Sequence, residues 1–195
     1  MSADDGPLAD ISTMVASIQP MDTVESSHLA DASAWLDGTD DVFRRRSDPT
    51  EPAKHLVSYF LPVDLASGHV LLGDHRKSGL WLPPGGHVEP GEHPADTVRR
   101  ECLEELGVEA RFHRDLGPRP LLLTVTDTRP ERPDQHTDVS LWFVLSRDHR
   151  DPLAPDEREY AGVRWWTPAE IRSGDPRLFD PHMGRMLEKL TTLTA

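Results

Sequence analysis

The segment from Trp81 to Ala110 constrains the fold more than any other part of the chain. It begins with two prolines and two glycines, which predict a loop that can approach a ligand closely. A helix is predicted over residues 95–106, because apolar residues then recur at helical spacing. These residues are Ala95, Val98, Cys102 and Leu106. One face of this helix is therefore expected to lie in a core.

Three glutamates share a neighbouring face of the predicted helix, because residues three and four positions apart are adjacent on a helix surface. They are Glu101, Glu104 and Glu105. Each like-charged pair costs roughly 0.2–0.5 kcal/mol in water, and the helix dipole disfavours anions near a C-terminus. A divalent cation would reverse the interaction, since Mg²⁺ and Mn²⁺ prefer carboxylate oxygens. A solvated acidic face is the alternative, and the three glutamates alone do not decide between the two.

Composition narrows the class of protein. The chain has 195 residues, enough for one domain with a sizeable core and an appendage. Its formal net charge of -13 disfavours a general nucleic-acid surface, because phosphate backbones recruit lysine and arginine. No apolar run approaches the ~20 residues of a membrane span, and the acidic first residues do not match a secretory signal. The single cysteine, Cys102, excludes an internal disulfide, so a cytoplasmic location is expected.

Residues 1–50 are expected to form a helical extension and linker, and residues 51–195 the main domain. The first helix has one apolar stripe, formed by Ile11, Met14, Val15 and Ile18. A second helix is predicted to begin at Asp22, with Glu25 completing a capping-box pattern, and to end at Gly38. Its stripe consists of Val24, His28, Leu29, Ala32, Trp35 and Leu36. These stripes are expected to pack either on the main domain or in a homodimer.

After the extension, the spacing of the hydrophobic residues changes from a helical pattern to strand-like segments. This change predicts a layered α/β domain. Five segments have strand character, at residues 55–63, 68–75, 120–128, 139–146 and 162–166. Thr167 and Glu170 form a capping-box pattern that begins a short helix. A last helix is predicted to begin near Asp180. Strands mixed with two or three helices are typical of a sheet covered by helices.

The helix and the preceding loop match one motif at every spacing. The pattern is glycine, five residues, glutamate, seven residues, Arg-Glu, an aliphatic residue, any residue, Glu-Glu, any residue, glycine and an aliphatic residue. The fixed positions are Gly86, Glu92, Arg100, Glu101, Glu104, Glu105 and Gly107, and the aliphatic positions hold Cys102 and Val108. This is the Nudix box, so the chain resembles the Nudix hydrolases. The resemblance is specific over about residues 57–171.

The resemblance implies a fold, a cofactor and site residues. The fold would be an α/β/α sandwich with a mixed sheet, preceded here by the N-terminal helical extension. The carboxylates of Glu101, Glu104 and Glu105, with the backbone carbonyl of Gly86, would hold Mg²⁺ or Mn²⁺. Glu105 or a loop carboxylate would be the general base.

Three further positions of the box have structural roles in the family. By resemblance, Arg100 and Glu92 would pair and brace the loop against the helix. Gly107 would supply the permissive backbone that ends the helix.

Five charged residues outside the box are candidates for the same site. Glu159 lies six residues before Trp165, near a point where many family members carry a glutamate that reaches the metals. Asp156 and Glu157 are weaker candidates for that role. Arg76 and Lys77 precede the box and are candidates to contact phosphate oxygens, although cations in a turn are usually solvated.

Two aromatic side chains are candidates to contact the substrate. Trp81 could stack on a base, but an aromatic residue before a turn is more often part of a core. His136, with Asp138 close by, is predicted at the entrance of a strand, where a substrate contact and strand-end pairing are both plausible. The chain has ten histidines but no HxxxH or CxxC grouping, so zinc is not expected.

The sequence therefore predicts a metal-dependent pyrophosphohydrolase with a small phosphorylated substrate. The first substrate hypothesis is a nucleoside triphosphate, canonical or oxidised, cleaved to monophosphate and pyrophosphate. ADP-ribose or a nucleotide sugar is the alternative. The diadenosine-polyphosphate subgroup has a downstream tyrosine that is absent here, since the only later tyrosine is Tyr160. The hypothesis from another class is a Nudix-like ligand-binding regulator without turnover, which usually loses box carboxylates.

Overall fold

The structure is a computed structural model that describes residues 5–39, 42–43, 53–128 and 136–193. The predicted linker at residues 44–52 and most of the polar loop at residues 129–137 lie outside the described residues. The helices are α1 (Asp5–Ser17), α2 (Thr23–Gly38), α3 (Pro94–Leu106), α4 (Pro168–Ser173) and α5 (Met183–Leu190). The strands are β1 (Ala53–Val63), β2 (Val70–His75), β3 (Leu80–Leu82), β4 (Gly85–His87), β5 (Leu122–Asp127), β6 (His136–Ser146) and β7 (Tyr160–Trp166).

The strands form one mixed seven-stranded sheet, as the resemblance predicts. Its main order is β3-β2-β1-β6-β5, while β4 pairs with β1 and β7 pairs with β2. The pair β1–β6 is parallel, and the other pairs are antiparallel. β1 is central, because β2, β4 and β6 all pair with it. The short strands β3 and β4, which no sequence period indicated, bring the loop before the box beside β1.

Each face of the sheet is covered by its own hydrophobic cluster. The first cluster joins α1, α2 and α3 to one face through residues such as Leu36, Val98 and Leu123. The second joins α4 and α5 to the other face through residues such as Trp142 and Met186. The α/β/α sandwich is thus confirmed, with the helices of the extension inside the first layer. None of the helices that the structure describes is long and apolar enough to cross a membrane.

The N-terminal helices bury their apolar stripes within the chain itself. Ile11, Val15 and Ala32 are buried in the first cluster, and α2 lies against the edge strand β5. Val24 differs from the prediction, because its side chain is 45% exposed. The homodimer through these helices stays a prediction, and the apolar surface it would have used is largely occupied.

Candidate active site

Helix α3 carries the box glutamates, and its ends follow from local sequence. Pro94 occupies the first helical turn, and Nδ1 of His93 accepts a hydrogen bond from the backbone N–H of Ala95 at 3.2 Å. Gly107 ends the helix with a left-handed φ of 67° and donates its N–H to the carbonyl of Leu103 at 3.1 Å. The predicted helix and its glycine stop are therefore present.

The loop before α3 approaches the sheet and the helix too closely for side chains. A Cβ at Gly85 would lie 2.2 Å from the backbone oxygen of Ser58, and the φ of Gly85 is 148°. A Cβ at Gly86 would lie 1.9 Å from Oε1 of Glu101. Glycine at both positions therefore lets the backbone of β4 lie directly against a box carboxylate.

Arg100 braces the loop against the helix, as the resemblance implies. Its Nε and Nη2 donate to the two oxygens of Glu92 at 2.9 and 3.0 Å, a bidentate arrangement. Nη2 also donates to the backbone carbonyl of His87 at 3.1 Å, and Nη1 donates to Glu101 at 2.7 Å. Burial raises the pKa of Glu92, but hydrogen bonds from Arg100 and Thr97 outweigh burial and hold it below its ordinary value. Glu92 is thus an ionised anchor for the arginine.

Glu105 is a buried carboxylate held by two neutral donors. The hydroxyl of Tyr160 and the backbone N–H of Gly85 each donate to its Oε2 at 2.9 Å. Burial, followed by the nearby charge of Glu101, raises the pKa of Glu105 to about 8, although the two hydrogen bonds lower it. The charge of Glu159 raises it further. These two hydrogen bonds orient the side chain, and no cation is paired with it among these contacts, so without a metal the carboxyl is largely protonated near neutral pH.

Glu101 and Glu104 extend from that buried carboxylate toward solvent. Burial raises the pKa of Glu101, even though the contact with Arg100 lowers it. The side chain of Glu104 is 59% exposed and lies 3.4 Å from Nη1 of Arg100. Three box carboxylates therefore lie at increasing exposure along one face of α3, and Arg100 is shared among Glu101, Glu104 and Glu92 but does not contact Glu105. Such a set of oxygen donors fits a hard divalent cation.

Glu159 lies just before β7, close to the buried carboxylate. Its side chain is 38% exposed and lies 3.7 Å from Nε2 of His75. Its charge contributes to the raised pKa of Glu105, so the two carboxyl groups share one electrostatic environment. Asp156, a weaker candidate, is paired with Arg158 at 2.6 Å. Glu159 is therefore near enough to affect the pKa of Glu105, its role at the metals stays a prediction, and Asp156 is engaged by Arg158.

The predicted phosphate-binding cations lie in the turn after β2. Nε of Arg76 donates to the carbonyls of Glu157 and Tyr160 at 2.8 and 3.1 Å. It therefore fastens this turn to the start of β7. Lys77 is the next residue in the same turn. The contacts of Arg76 place it beside the segment that carries Glu159, and they give it a bracing function in addition to any contact with a ligand.

Trp81 and His136 lie away from the box glutamates. The ring of Trp81 packs edge-to-face on Trp166 at 5.1 Å between centroids and belongs to the second hydrophobic cluster. Nε2 of His136 lies 3.2 Å from Oδ1 of Asp138, at the start of β6. Their substrate-binding roles stay predictions, and the position of Trp81 matches its alternative as a core residue.

Sequence reasoning missed Tyr160, which donates a hydrogen bond to Glu105. The two residues are 55 positions apart, and they meet because β7 pairs with β2 beside the loop. No local spacing signals this contact. The only available signal was that Tyr160 directly follows Glu159, which was already a candidate.

Comparison with known proteins identifies the family. The model of the NUDIX domain matches residues 43–190. The NUDIX domain of Shewanella oneidensis NrtR, in complex with ADP ribose, superposes with a TM-score of 0.57 at 18% identity, over 76% of this chain and 94% of that one. At such identity the likeness shows the fold alone.

Three curated relatives differ in the substrates that their names state. NAD-capped RNA hydrolase ndx-9 of Caenorhabditis elegans is 30% identical over 146 residues, or 70% of this chain and 36% of its own length. The asymmetrical bis(5'-nucleosyl)-tetraphosphatase of Mus musculus is 57% identical over 92 residues, or 44% of this chain and 54% of its own. A Bacillus subtilis (strain 168) protein, provisionally named 8-oxo-dGTP diphosphatase, is 29% identical over 112 residues, or 57% of this chain and 66% of its own.

The extent of these matches defines what they show. The chain spans between 36% and 66% of the length of the three curated relatives. The family model, in contrast, spans most of the chain and includes every fixed position of the motif between Gly86 and Gly107. The sandwich fold, the box geometry and the family match agree, and the chain belongs to the Nudix family.

Proposed function

We propose that this chain is a divalent-metal-dependent hydrolase that cleaves a phosphoanhydride bond of a nucleotide-type substrate. The observation that carries the proposal is the buried carboxylate of Glu105, which lies beside Glu101 with no cation paired to it among its contacts. Burial and the charge of Glu101 raise the pKa of this carboxyl to about 8, and a bound cation would favour its ionised form. The box spacing of the family and the names of the relatives support the same reaction class.

The donor set fits Mg²⁺ or Mn²⁺. Glu101, Glu104 and Glu105 would hold the metal, with the carbonyl of Gly86, whose Cα lies against Glu101. All of these donors are oxygens, which hard divalent cations prefer, and no thiolate or imidazole belongs to the set. When bound, the metal would neutralise phosphate charge and lower the pKa of a water molecule.

The protein residues around this set orient it. Tyr160 and Gly85 fix the carboxylate of Glu105, and the Arg100–Glu92 pair holds the loop that presents Gly86. In the reaction, the oxygen of a water attacks a phosphorus and the anhydride P–O bond breaks. The water's proton passes to a carboxylate, for which Glu105 and Glu159 are the candidates.

The leading substrate is a nucleoside triphosphate, canonical or oxidised, cleaved to monophosphate and pyrophosphate. The name of the Bacillus subtilis relative supports an oxidised purine. A dinucleoside polyphosphate is the second candidate, because identity to the mouse tetraphosphatase reaches 57% over 92 residues. ADP-ribose or a nucleotide sugar remains the third. The regulator hypothesis is weakened because every box carboxylate is present.

We also propose that residues 51–195 contain the whole catalytic apparatus and that residues 1–50 support it from outside. Each box residue, as well as Glu159 and Tyr160, lies after residue 50. The apolar contacts of α1 and α2 with the sheet give the extension a stabilising role. A cytoplasmic location stays part of the proposal.

A product assay tests the function. The purified full chain would be incubated with Mg²⁺ or Mn²⁺ and with canonical and oxidised nucleoside triphosphates, dinucleoside tetraphosphate, ADP-ribose and nucleotide sugars. Ion-exchange chromatography would separate the products. Monophosphate plus pyrophosphate supports the triphosphate substrate, whereas a mononucleotide plus a nucleoside triphosphate supports the dinucleoside polyphosphate.

The assay has a matched control in the same region of the chain. Glu109→Gln makes the same chemical change as Glu105→Gln, but at an exposed position outside the box. Turnover should survive in Glu109→Gln and be lost in Glu105→Gln. Binding of these nucleotides without any metal-dependent cleavage would overturn the enzyme proposal in favour of the regulator.

A further inference from the structure

Three histidines and one aspartate meet on the sheet, apart from the box glutamates. His55 lies on β1, His87 on β4, and His136 and Asp138 on β6. The ring of His55 lies 4.5 Å from that of His87 and 4.5 Å from that of His136, between centroids. One ligand atom from each of the four residues can be chosen so that all lie within 4.8 Å of one another. We call these four residues the histidine cluster.

Strand register produces this cluster. His55 is the partner of Asp138 in the parallel β1–β6 pair, and Val57, two residues further along β1, is the partner of His87 in β4. Side chains two residues apart on a strand share one face, so all four side chains lie on the same face of the sheet. Ser58, whose hydroxyl bonds to the backbone of Pro94 in α3, lies on the opposite face. The cluster is therefore separated from the box helix by the sheet.

Two residues of this cluster, His55 and Asp138, have buried polar atoms that make no hydrogen bond within the described part of the chain. His55 is 0% exposed, and neither of its ring nitrogens makes a hydrogen bond to any residue that the structure describes. Oδ1 of Asp138 also lacks one, although Nε2 of His55 lies 2.8 Å away and Nε2 of His136 lies 3.2 Å away. These contacts are short but not aligned as hydrogen bonds. Buried polar atoms in proteins are nearly always satisfied, so these atoms point to a missing partner.

The chemistry of the donors favours a transition metal as the missing partner. An anion such as phosphate would face the carboxylate of Asp138, which repels it. Imidazole nitrogens with one carboxylate suit zinc and its first-row neighbours better than Mg²⁺. In a tetrahedral zinc site, donor atoms lie about 3.3 Å apart. The observed 2.8 and 3.2 Å contacts are close to that spacing. The ligand atoms that lie furthest apart, at up to 4.8 Å, would need to move closer together by side-chain rotation.

We propose that His55, His87, His136 and Asp138 form a binding site for one divalent transition-metal ion, with Zn²⁺ as the preferred class. The ion would connect β1, β4 and β6. Because the carbonyl of His87 accepts a hydrogen bond from Arg100, the same ion would also hold the loop that carries Gly86. This site goes beyond the proposed function and does not depend on it.

Cobalt spectroscopy on the full chain tests the site. The purified protein is stripped of metal with a chelator, and excess Mg²⁺ is added to occupy the carboxylates of α3. Co²⁺ is then titrated. Tetrahedral Co²⁺ with imidazole ligands absorbs visible light far more strongly than octahedral Co²⁺ bound by oxygens. We expect strong bands that saturate at one equivalent and disappear when Zn²⁺ is added.

Variants assign the bands to the cluster. His136→Gln and Asp138→Asn should weaken Co²⁺ binding more than the 10–100-fold change typical of residues that only support a metal ligand. The ring of His136 is partly exposed, so its variant is expected to fold even if others do not. His69→Gln, at a partly exposed histidine outside the cluster, should keep the bands. Circular dichroism would verify the fold of each variant.

The outcomes separate this site from the proposed hydrolase site. Glu105→Gln should lose turnover and keep the Co²⁺ bands, because its carboxylate lies across the sheet. The absence of strong bands in the unmodified protein would overturn the proposal. Bands that persist unchanged in both folded variants, His136→Gln and Asp138→Asn, would overturn it as well.

Discussion

Two regions of the chain each bury a carboxylate, and they differ in the contacts that surround it. At the junction of α2 and α5, Glu25 is fully buried and contacts Nζ of Lys189, and Asp22 contacts Arg185 at 2.5 Å. On α3, Glu105 is also buried, but its contacts are the neutral donors of Tyr160 and Gly85. The first region pairs its buried carboxylate with a cation, while the second holds Glu105 by neutral donors alone.

Under the proposed function, the first region stabilises the fold and the second binds a cation. Burial lowers the pKa of Lys189, although Glu25 raises it, so the ammonium depends on its partner. This pair joins the N-terminal helices to the last helix, across 164 positions of sequence. Burial and the neighbouring carboxylates raise the pKa of Glu105 to about 8, and a bound cation would favour its ionised form and stabilise the protein. Four variants test this difference, in order of decreasing expected effect.

The largest effect is expected from Glu105→Gln, which replaces a proposed metal ligand with a neutral amide. Turnover should fall by about 10³-fold or more, because a metal ligand contributes several kcal/mol to transition-state stabilisation. The free energy of unfolding without metal should not fall, since glutamine can still accept from Tyr160 and Gly85. Steady-state kinetics and urea unfolding measure the two quantities. A stable variant with near-normal turnover on every substrate would refute the site.

Glu25→Gln removes one charge of the paired region and should have the opposite pattern. The free energy of unfolding should fall by about 3–5 kcal/mol, because the ammonium of Lys189 is left buried without a partner. The kcat measured well below the unfolding midpoint should stay unchanged. Adding Lys189→Met should recover part of the loss. A change below about 1 kcal/mol, the range of ordinary surface substitutions, would contradict the stabilising role of this pair.

Arg100→Lys weakens the contacts that hold the loop against α3 and leaves the box glutamates unsubstituted. Lysine cannot reproduce the two-pronged contact with Glu92. Metal affinity should fall by roughly 10–100-fold, as is typical when support for a ligand is lost. Arg99→Lys is the matched control, since Arg99 pairs with Asp96 on the exposed side of the same helix. Equal effects of the two substitutions on Mn²⁺ affinity would argue against a specific brace.

The smallest effect concerns the pH dependence of stability at the α2–α5 junction, which contains the Glu25–Lys189 pair. Burial, with the nearby charges of His28 and Arg185, lowers the pKa of His182 to about 4 from an ordinary 6.5. Between these values the unfolded chain binds a proton that the folded chain does not, so stability is lost as the pH falls from about 6.5 to 4. His182→Gln should remove about 1–2 kcal/mol of that loss, less than the full shift because the ring is partly exposed.

Urea unfolding at pH 7.5 and pH 4.5 measures this difference. His69→Gln, at a partly exposed histidine away from the α2–α5 junction, should leave the pH dependence unchanged. If His182→Gln also leaves it unchanged, His182 does not contribute to the acid sensitivity of the fold.

Features encoded by local spacing could be predicted from the sequence, and features that depend on sheet register could not. The Arg100–Glu92 pair spans eight positions, and the helix limits follow from Pro94 and Gly107, so the box was predictable. Asp22 was correctly predicted as an N-cap. Glu25 was interpreted only as a capping residue, because nothing in its surroundings points to a lysine 164 positions away.

The same limit applies to the sites themselves. The contact between Tyr160 and Glu105 depends on the pairing of β7 with β2. The expectation that zinc is absent came from the lack of a local histidine grouping, whereas the histidine cluster draws on positions 55, 87, 136 and 138 through three strands. Periodicity places side chains on a face of a strand, but it does not give the register that brings strands together.

Binding of Mn²⁺, followed by electron paramagnetic resonance, tests whether the carboxylates of α3 hold the metal. The unmodified chain should bind Mn²⁺ in competition with Mg²⁺, and Glu25→Gln should bind it equally well below its unfolding midpoint. The double variant Glu101→Gln/Glu105→Gln should lose this Mg²⁺-sensitive binding while remaining folded. If the folded double variant bound Mn²⁺ as tightly as the unmodified chain, the carboxylates of Glu101 and Glu105 would not form the metal site.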